Sequence, residues 1–301
     1  MSQAISLDAL RVLDAIERKG SFAAAAEALF KVPSALTYTM QKLETDLDVK
    51  LFDRKGQRAV LTEAGKLVLE EGREILNAAE RLEGRVKQLE SGWEPRLTIA
   101  IDTIMPYSPL FNVVREFREL DRQVDIHISE EAVGGGWDAL YTQRADLAIG
   151  VTGEQPRGLY QQQQIGELEF EFAVAANHPL ASHVGPLKEE DLRPYAAVVV
   201  GDSSRQLPGR DSGLLANRRM IRVESMQAKI AAQQAGAGVG FIPRHLLVPY
   251  QDNGALVVKE CEFARPTQPV YLAWPRNRHG KALIWFAAAL SQQRWFGELA
   301  I

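Results

Sequence analysis

The chain has 301 residues, and its 46% hydrophobic and 25% charged content is that of a folded globular protein, which excludes global disorder. Its 39 acidic residues outnumber its 35 basic ones, so the net charge of -4 argues against a protein that coats nucleic acid through a general positive excess. The single cysteine, Cys261, excludes an internal disulfide and a cysteine-rich zinc site.

Residues 1–62 predict three short helices followed by a hairpin. The first helix is expected over residues 7–18 with Ser6 as its cap, and the second follows Ser21 and carries a run of alanines that lets another helix approach closely. Pro33 suits the first position of the third helix, because its missing N–H costs nothing there. Opposite the apolar stripe of this helix lies a polar one, made of Ser34, Thr37, Tyr38 and Gln41.

The hairpin is predicted from two short apolar segments, 49–52 and 59–62, around a basic turn. A basic hairpin beside a helix with a polar face is typical of a winged helix that binds DNA, although a solvated helix surface is the alternative interpretation of the polar face. The candidate DNA contacts in and before the third helix are Lys31, Pro33, Ser34, Thr37, Tyr38, Gln41 and Lys42. Those in the hairpin are Arg54, Lys55 and Arg58.

A long fourth helix is expected over residues 63–90, with Thr62 as its cap. Its apolar residues recur every seven positions, which predicts a coiled-coil-like seam. A single helix cannot bury such a seam alone, so we interpret it as a dimerisation helix; packing against its own chain is the alternative. The two rows of the seam are Val68, Ile75, Leu82 and Leu89, and Gly72, Ala79 and Val86.

Glycine and proline at residues 91–95 mark a boundary, after which strands and helices alternate. Strands are expected at 97–101, 124–128 and 146–151 and helices at 109–120 and 137–144, which indicates a mainly parallel α/β sheet. Ligands of such sheets bind beyond the carboxyl ends of the strands. The candidate ligand contacts there are Asp102, Thr103, Ile104, Glu131, Gly150, Val151, Asp202, Ser203, Ser225 and Met226, with an ordinary loop role as the alternative for each.

The remaining motifs indicate neither catalysis nor a cofactor. Residues 236–240 are glycine-rich but follow a helix and precede a strand, which is the reverse of a dinucleotide site, and we interpret the glycines at 134–136 as a flexible connection. The five histidines lack metal-ligand spacing, and no serine stands in a nucleophile elbow. We therefore expect no catalytic residue, no metal and no cofactor.

The motifs of the first 90 residues resemble the N-terminal signature of LysR-type transcription regulators. They are the segments 20–26 (GSFAAAA), 43–44 (LE), 51–54 (LFDR) and 61–65 (LTEAG), and a weaker resemblance continues through 223–225 and 236–243. The third helix departs from the commoner pattern, because Tyr38 stands where an arginine often contacts DNA. Either its hydroxyl takes over that contact or base choice differs.

The resemblance implies an α/β protein with an all-α winged helix-turn-helix at residues 1–62, a linker helix at 63–92 and an effector domain at 93–301. That domain would have two lobes like a periplasmic binding protein, 96–162 with 269–301 and 163–268, joined by crossovers near 161–165 and 263–270. The implied partners are promoter DNA, a small-molecule effector, a second copy of the chain in a dimer or a dimer of dimers, and RNA polymerase indirectly through DNA bending.

The start of the chain lacks a basic segment followed by an apolar core, and no apolar run approaches the roughly 18 residues of a membrane span, so we expect a cytoplasmic protein without membrane contact. Two competing classes are a stand-alone small-molecule binding protein and an enzyme with a DNA-binding head. The missing export signal argues against the first, and the missing catalytic constellation against the second.

Overall fold

The computed structural model describes residues 5–53, 60–156, 158, 160–210, 219–263 and 265–296, with side chains at all of these except 85 and 87–91. The chain divides into two compact units, Met1–Glu90 and Ser91–Ile301. Within the described residues, no helix is both long enough and apolar enough to cross a bilayer.

The first unit has the predicted order of three helices, a hairpin and a long helix. The predicted caps are confirmed: Ser6 accepts from the N–H of Ala9 and Ser21 from that of Ala24, both at 3.2 Å, and Thr62 accepts from Gly65 at 3.0 Å. Pro33 is confirmed at the start of its helix. The elements are α1 (Leu7–Lys19), α2 (Phe22–Ala28), α3 (Pro33–Leu47), β1 (Phe52–Asp53), β2 (Val60–Leu61) and α4 (Glu63–Ser91).

Helices α1 to α3 enclose the core of the first unit. The alanines of α2 allow the predicted close approach, since Ala25 and Ala26 are fully buried beside the apolar stripe of α3. That stripe is Leu36, Met40 and Leu43, each at most 2% exposed. The opposite face of α3 is therefore the one that faces solvent.

The seam of α4 is divided between two environments. Near the start of the helix Val68 packs on the core, and Gly72 lies against Leu10, where a Cβ would come within 2.7 Å of the leucine Cδ2. Farther along, apolar side chains of the seam face solvent: Ile75 is 45% exposed, Leu82 63% and Val86 58%. The alternative of packing on its own chain thus holds for the first turns only. Leu89 lies outside the described side chains.

The first lobe of the second unit is a five-stranded sheet of order β4-β3-β5-β12-β6. Helices α5 and α10 cover one face through Phe117 and Phe286, and α6 covers the other through Trp137. The elements of this lobe are β3 (Arg96–Asp102), α5 (Tyr107–Arg118), β4 (Asp125–Glu131), α6 (Gly135–Tyr141), β5 (Leu147–Val151), β6 (Tyr160–Leu168), β12 (Gln268–Pro275) and α10 (Lys281–Ser291).

The second lobe has the sheet β10-β7-β11 and the parallel pair β8-β9, and a bridge between Ala197 and Val239 joins the two. Helices α8 and α9 pack on one face of β7 and β10, through Ile230 and Leu247. The elements are β7 (Phe170–Ala175), α7 (Glu189–Leu192), β8 (Ala196–Val200), β9 (Arg219–Val223), α8 (Met226–Gln234), β10 (Gly240–Pro243), α9 (Arg244–Asp252) and β11 (Leu256–Lys259).

The predicted crossover at residues 161–165 is wrong. These residues lie within β6, which pairs with β12 along its whole length, from Leu168 opposite Gln268 to Tyr160 opposite Pro275. The chain leaves the first sheet only after Leu168 and re-enters it at Gln268. The sheet is also mixed rather than mainly parallel: β3 runs parallel to β4 and β5, whereas β12, returning from the other lobe, runs antiparallel.

Two further expectations need correction. Asp102 and Glu131 were expected beyond strand ends but are the last residues of β3 and β4, whereas Gly150 and Val151 lie in β5, within the strand predicted at 146–151. The glycines at 134–136 do not form a flexible connection, since Gly135 and Gly136 are buried in the first turn of α6. A Cβ on Gly135 would collide with the hydroxyl of Ser203 and the carboxylate of Glu131. Close packing, rather than mobility, explains these glycines.

Candidate nucleic-acid interface and effector cleft

The predicted contacts in and before α3 all lie on the exposed side of the helix. Tyr38 is 69% exposed, and Lys31, Pro33, Ser34, Thr37, Gln41 and Lys42 are exposed as well. Two of them already have partners within the chain. Thr37 donates its hydroxyl hydrogen to the carbonyl of Pro33 at 3.0 Å, and Lys31 forms an ion pair of 2.6 Å with Asp8. Thr37 can therefore still accept hydrogen bonds from a base.

Glu44 ties α3 to the hairpin. One carboxylate oxygen accepts from the N–H of Leu51 at 2.9 Å and of Phe52 at 3.3 Å, and the other binds Lys50 at 2.7 Å. Burial acts to raise the pKa of Glu44, but Lys50 and these N–H donors outweigh it and lower the pKa overall. The start of the hairpin is thus held at a fixed place beside α3. The predicted tip contacts Arg54, Lys55 and Arg58 lie outside the described residues.

Strand β3 ends at Asp102, and the loop that follows it begins with Thr103 and Ile104, at the edge where the two lobes meet. Asp102 is 4% exposed and accepts from the N–H of Ile104 at 3.0 Å. Burial raises its pKa to about 7, and the nearby carboxylates of Glu131 and Asp202 add to this although N–H donors oppose it. The carbonyl of Ile104 contacts the ring of His245, in α9 of the second lobe, at 2.9 Å.

Glu131 belongs to a buried ionic cluster. Arg144 binds both Glu131 and Asp138, whose side chains are 5% and 0% exposed. Burial acts to raise the pKa of Asp138, yet the N–H donors of Leu207 and Gln206 together with Arg144 lower it overall. Glu131 also accepts from the hydroxyl of Ser203 at 2.6 Å. Both oxygens of this carboxylate therefore already have partners within the protein, Arg144 and Ser203.

The segment 202–210, which we call the strap, connects the second lobe to the first. It follows β8, yet its hydrogen bonds reach the first lobe: Ser203 exchanges two with the backbone of Ala132, and the N–H groups of Gln206 and Leu207 donate to Asp138 at 2.8 and 2.7 Å. Arg210 donates to the carbonyls of Thr152 and Glu154. Asp202, a predicted ligand contact, accepts within the strap from the N–H groups of Ser204 and Arg210.

The other predicted ligand contacts divide between the cleft and the core. Gly150 lies beside Asp102, where a Cβ would come within 3.0 Å of the aspartate Cβ. Met226 packs in one cluster with Ala132 and Ile104. The side chain of Val151 is in the core under α6, and Ser225 caps α8 by accepting from Ala228 at 3.2 Å. Within the described residues, no group of three His, Cys, Asp or Glu side chains is placed to hold a metal.

Two buried hydroxyls in this region lack a partner among the described residues: Thr103 Oγ1 and Ser204 Oγ. One comes from the first lobe and the other from the strap. An unsatisfied buried hydroxyl is costly to a fold and is often satisfied by a ligand or an ordered water. Both hydroxyls lie in the loops that follow strands β3 and β8.

Two family models together match most of the chain. The model of the bacterial regulatory helix-turn-helix protein, lysR family, matches residues 7–66, and that of the LysR substrate binding domain matches residues 90–295. The chain belongs to the LysR family. It is a DNA-binding transcription regulator with an effector-binding domain.

Curated LysR-type relatives match over nearly the whole length. The HTH-type transcriptional regulator YeeY from Escherichia coli strain K12 is 39% identical over 281 residues, which cover 93% of this chain and 91% of that protein. The regulator PunR from the same strain is 36% identical over 278 residues, which cover 92% of this chain and 89% of PunR. Full-length CbnR in complex with its target DNA has the same fold, with a TM-score of 0.60 and 20% identity over 95% of this chain and 99% of CbnR.

The LysR-type head also has exposed residues that sequence reasoning missed. Phe30 is 97% exposed and Val32 is 62% exposed, and both directly precede α3. The signal was present in the sequence, since two large apolar residues flank Lys31 in a turn where polar residues are expected. Only the structure shows that these two side chains are not buried in the core.

Proposed function

We propose that two copies of this regulator pair through α4 and place their α3 helices in successive major grooves of a partly palindromic promoter operator in the cytoplasm. The observation that carries this proposal is the coexistence of an exposed face on α3, with three hydroxyls and one amide, and exposed apolar residues along α4. A larger assembly, a dimer of dimers, would bend the DNA and so act on RNA polymerase. No catalytic step is part of this function.

The proposed pairing is tested by Leu82→Arg, with Leu67→Arg as its matched control. Both leucines are exposed to a similar degree, 63% and 60%, but Leu67 lies outside the seven-residue rows. We expect Leu82→Arg to shift the sedimentation coefficient towards that of a single chain, because an arginine in an apolar seam leaves a charge without solvent. Equal behaviour of the two variants would remove α4 as the pairing element.

The proposed division of labour is that α3 selects bases and the hairpin tip holds phosphates. Thr37→Ala should change the preferred base at one position, since the free acceptor of its hydroxyl suits an amino group of adenine or cytosine. Arg54→Ala should weaken binding to all sequences alike and reduce the salt slope by about 1. Binding titrations on several operators at several salt concentrations separate the two effects. A loss of affinity with the same pattern in both variants would contradict this assignment.

The effector is proposed to bind between the lobes, beside Thr103, Ser204 and Met226. It acts by preferring one arrangement of the lobes, and such couplings are typically about 1–3 kcal/mol. We expect Thr103→Val to leave operator affinity without effector unchanged and to blunt the response to it. The effector itself is found by a thermal-shift screen of metabolites on the full chain, since a ligand of the folded state raises the melting temperature. Loss of operator binding in a folded Thr103→Val protein would overturn this placement.

A further inference from the structure

Three large apolar side chains at the start of α3 have no place in the core. Phe30 is 97%, Val32 62% and Tyr38 69% exposed, and none belongs to the hydrophobic cluster that contains their neighbours Leu29 and Leu36. Single exposed apolar residues are ordinary, but these three lie within nine positions of the chain, around the first two turns of one helix. We call Phe30, Val32 and Tyr38 the apolar strip.

The backbone at Phe30 shows that folding does not favour this residue. Its φ is 53°, in the left-handed region, which costs a side-chain-bearing residue roughly 1 kcal/mol and suits glycine or asparagine better. The turn itself is held by backbone bonds, from Phe30 N to Glu27 O at 3.1 Å and from Lys31 N to Ala26 O at 2.9 Å. The phenyl ring contributes nothing to these bonds. Its surface is therefore available to a binding partner.

The composition of α3 indicates which part of DNA the strip would contact. Its first two turns, residues 33–40, contain no charged side chain. Guanine is usually read by arginine or lysine and cytosine by aspartate or glutamate, so neither base has its common reader there. The amide of Gln41 suits adenine, hydroxyl groups bind either kind of base pair, and an apolar surface suits the C5-methyl group of thymine. The first two turns of α3 thus favour contact with thymine, whereas the candidate guanine readers, Lys31 and Lys42, lie on either side of them.

We infer that Val32 and Tyr38 are specificity-determining residues that contact thymine methyl groups in the operator half-site, with Phe30 extending the same apolar surface. This rests on the proposed placement of α3 in the major groove. It gives Tyr38 a role for its ring, rather than for the hydroxyl considered from the sequence. The strip then becomes buried only when the regulator is on DNA.

The test removes the methyl groups from the DNA. An operator is first selected from a pool of random duplexes with the intact protein, and each thymine in it is then replaced by uracil, which lacks only the C5-methyl. Burial of one such group is worth about 0.8 kcal/mol, so wild-type affinity should fall about fourfold at each contacted thymine. Val32→Ala and Tyr38→Ala should each abolish this fall at one position, whereas Tyr38→Phe, which keeps the ring, should retain it.

The outcomes separate this inference from the proposed function. If uracil leaves wild-type affinity unchanged at every position while Thr37→Ala and Gln41→Ala shift base preference, α3 reads the groove but the methyl contacts are wrong. If those two variants also leave preference unchanged, the placement of α3 itself fails. A fall with uracil that is the same in wild type, Val32→Ala and Tyr38→Ala would assign the methyl contact elsewhere and overturn the inference. Circular dichroism checks that each variant is folded, as expected for exposed positions.

Discussion

Replacement of Arg144 by methionine should strongly destabilise the effector domain. The guanidinium lies between Glu131 and Asp138, at 3.0 Å from the latter, and both carboxylates are almost fully buried. Methionine keeps much of the arginine stem but leaves two buried carboxylates without a counter-charge, and breaking such a pair costs about 3–5 kcal/mol. Hydrogen bonds from Ser203 and from the strap backbone remain, so we expect the lower end, about 3 kcal/mol.

The measurement is a urea titration of the intact chain followed by tryptophan fluorescence. All five tryptophans, at positions 93, 137, 274, 285 and 295, lie in the effector domain, so the signal reports on that domain alone. The matched control is Arg244→Met. Arg244 pairs with Glu169 at 3.2 Å, but the side chains are 39% and 55% exposed, and such surface pairs contribute at most about 1 kcal/mol. A loss below about 1 kcal/mol in Arg144→Met would refute the argument from burial.

Three further perturbations follow from the surroundings of Lys229, Gly135 and Glu94. Burial of Lys229 in α8, with Arg265 nearby, lowers its pKa from 10.5 to about 7, so between these values only the unfolded state holds the proton. The free energy of unfolding should therefore rise with pH from 7 to 10.5 by up to about 1.4 kcal/mol per pH unit. Lys229→Met should remove that slope. If the variant kept the slope of the wild type, the lysine would be charged in the folded protein. Gly135→Ala should cost about 1–3 kcal/mol because the new methyl displaces Ser203 and the strap, whereas Gly209→Ala, with open space around it, should be neutral in the same urea titration. The carboxylate of Glu94 accepts hydrogen bonds from the N–H groups of Ala282 and Leu283 in the first turn of α10, at 2.9 and 3.2 Å. Glu94→Ala should therefore lower the free energy of unfolding by about 1 kcal/mol. Equal stability of variant and wild type would show that water replaces this cap.

The features that were predictable from the sequence depend on nearby residues. Ser6, Ser21 and Thr62 cap helices that begin one residue later, and Pro33 starts its helix, so each signal lies within a few positions of its effect. The same holds for the polar face of α3, which follows from helical spacing alone. The LysR-type motifs belong to this class as well, because each is a short continuous segment.

The features that were missed depend on residues far apart in the chain. The crossover depends on β6 pairing with β12, about a hundred positions away, and no local signal in 161–165 reports that partner. The glycines at 134–136 resemble a loop until Ser203 of the strap is packed on them. Asp138 has no feature of its own that shows it would accept hydrogen bonds from Gln206 and Leu207. Such contacts become visible only when the lobes are assembled.

The packing of α4 on the head has a mechanical consequence. Arg73 forms ion pairs with Asp14 at 2.7 Å and with Glu17 at 2.8 Å, and Gly72 packs closely against Leu10. The first turns of α4 are therefore attached to α1 by ion pairs and by close packing. A rotation of α4 about its long axis must then rotate helices α1 to α3 as well. Any such rotation would therefore also change the orientation of α3.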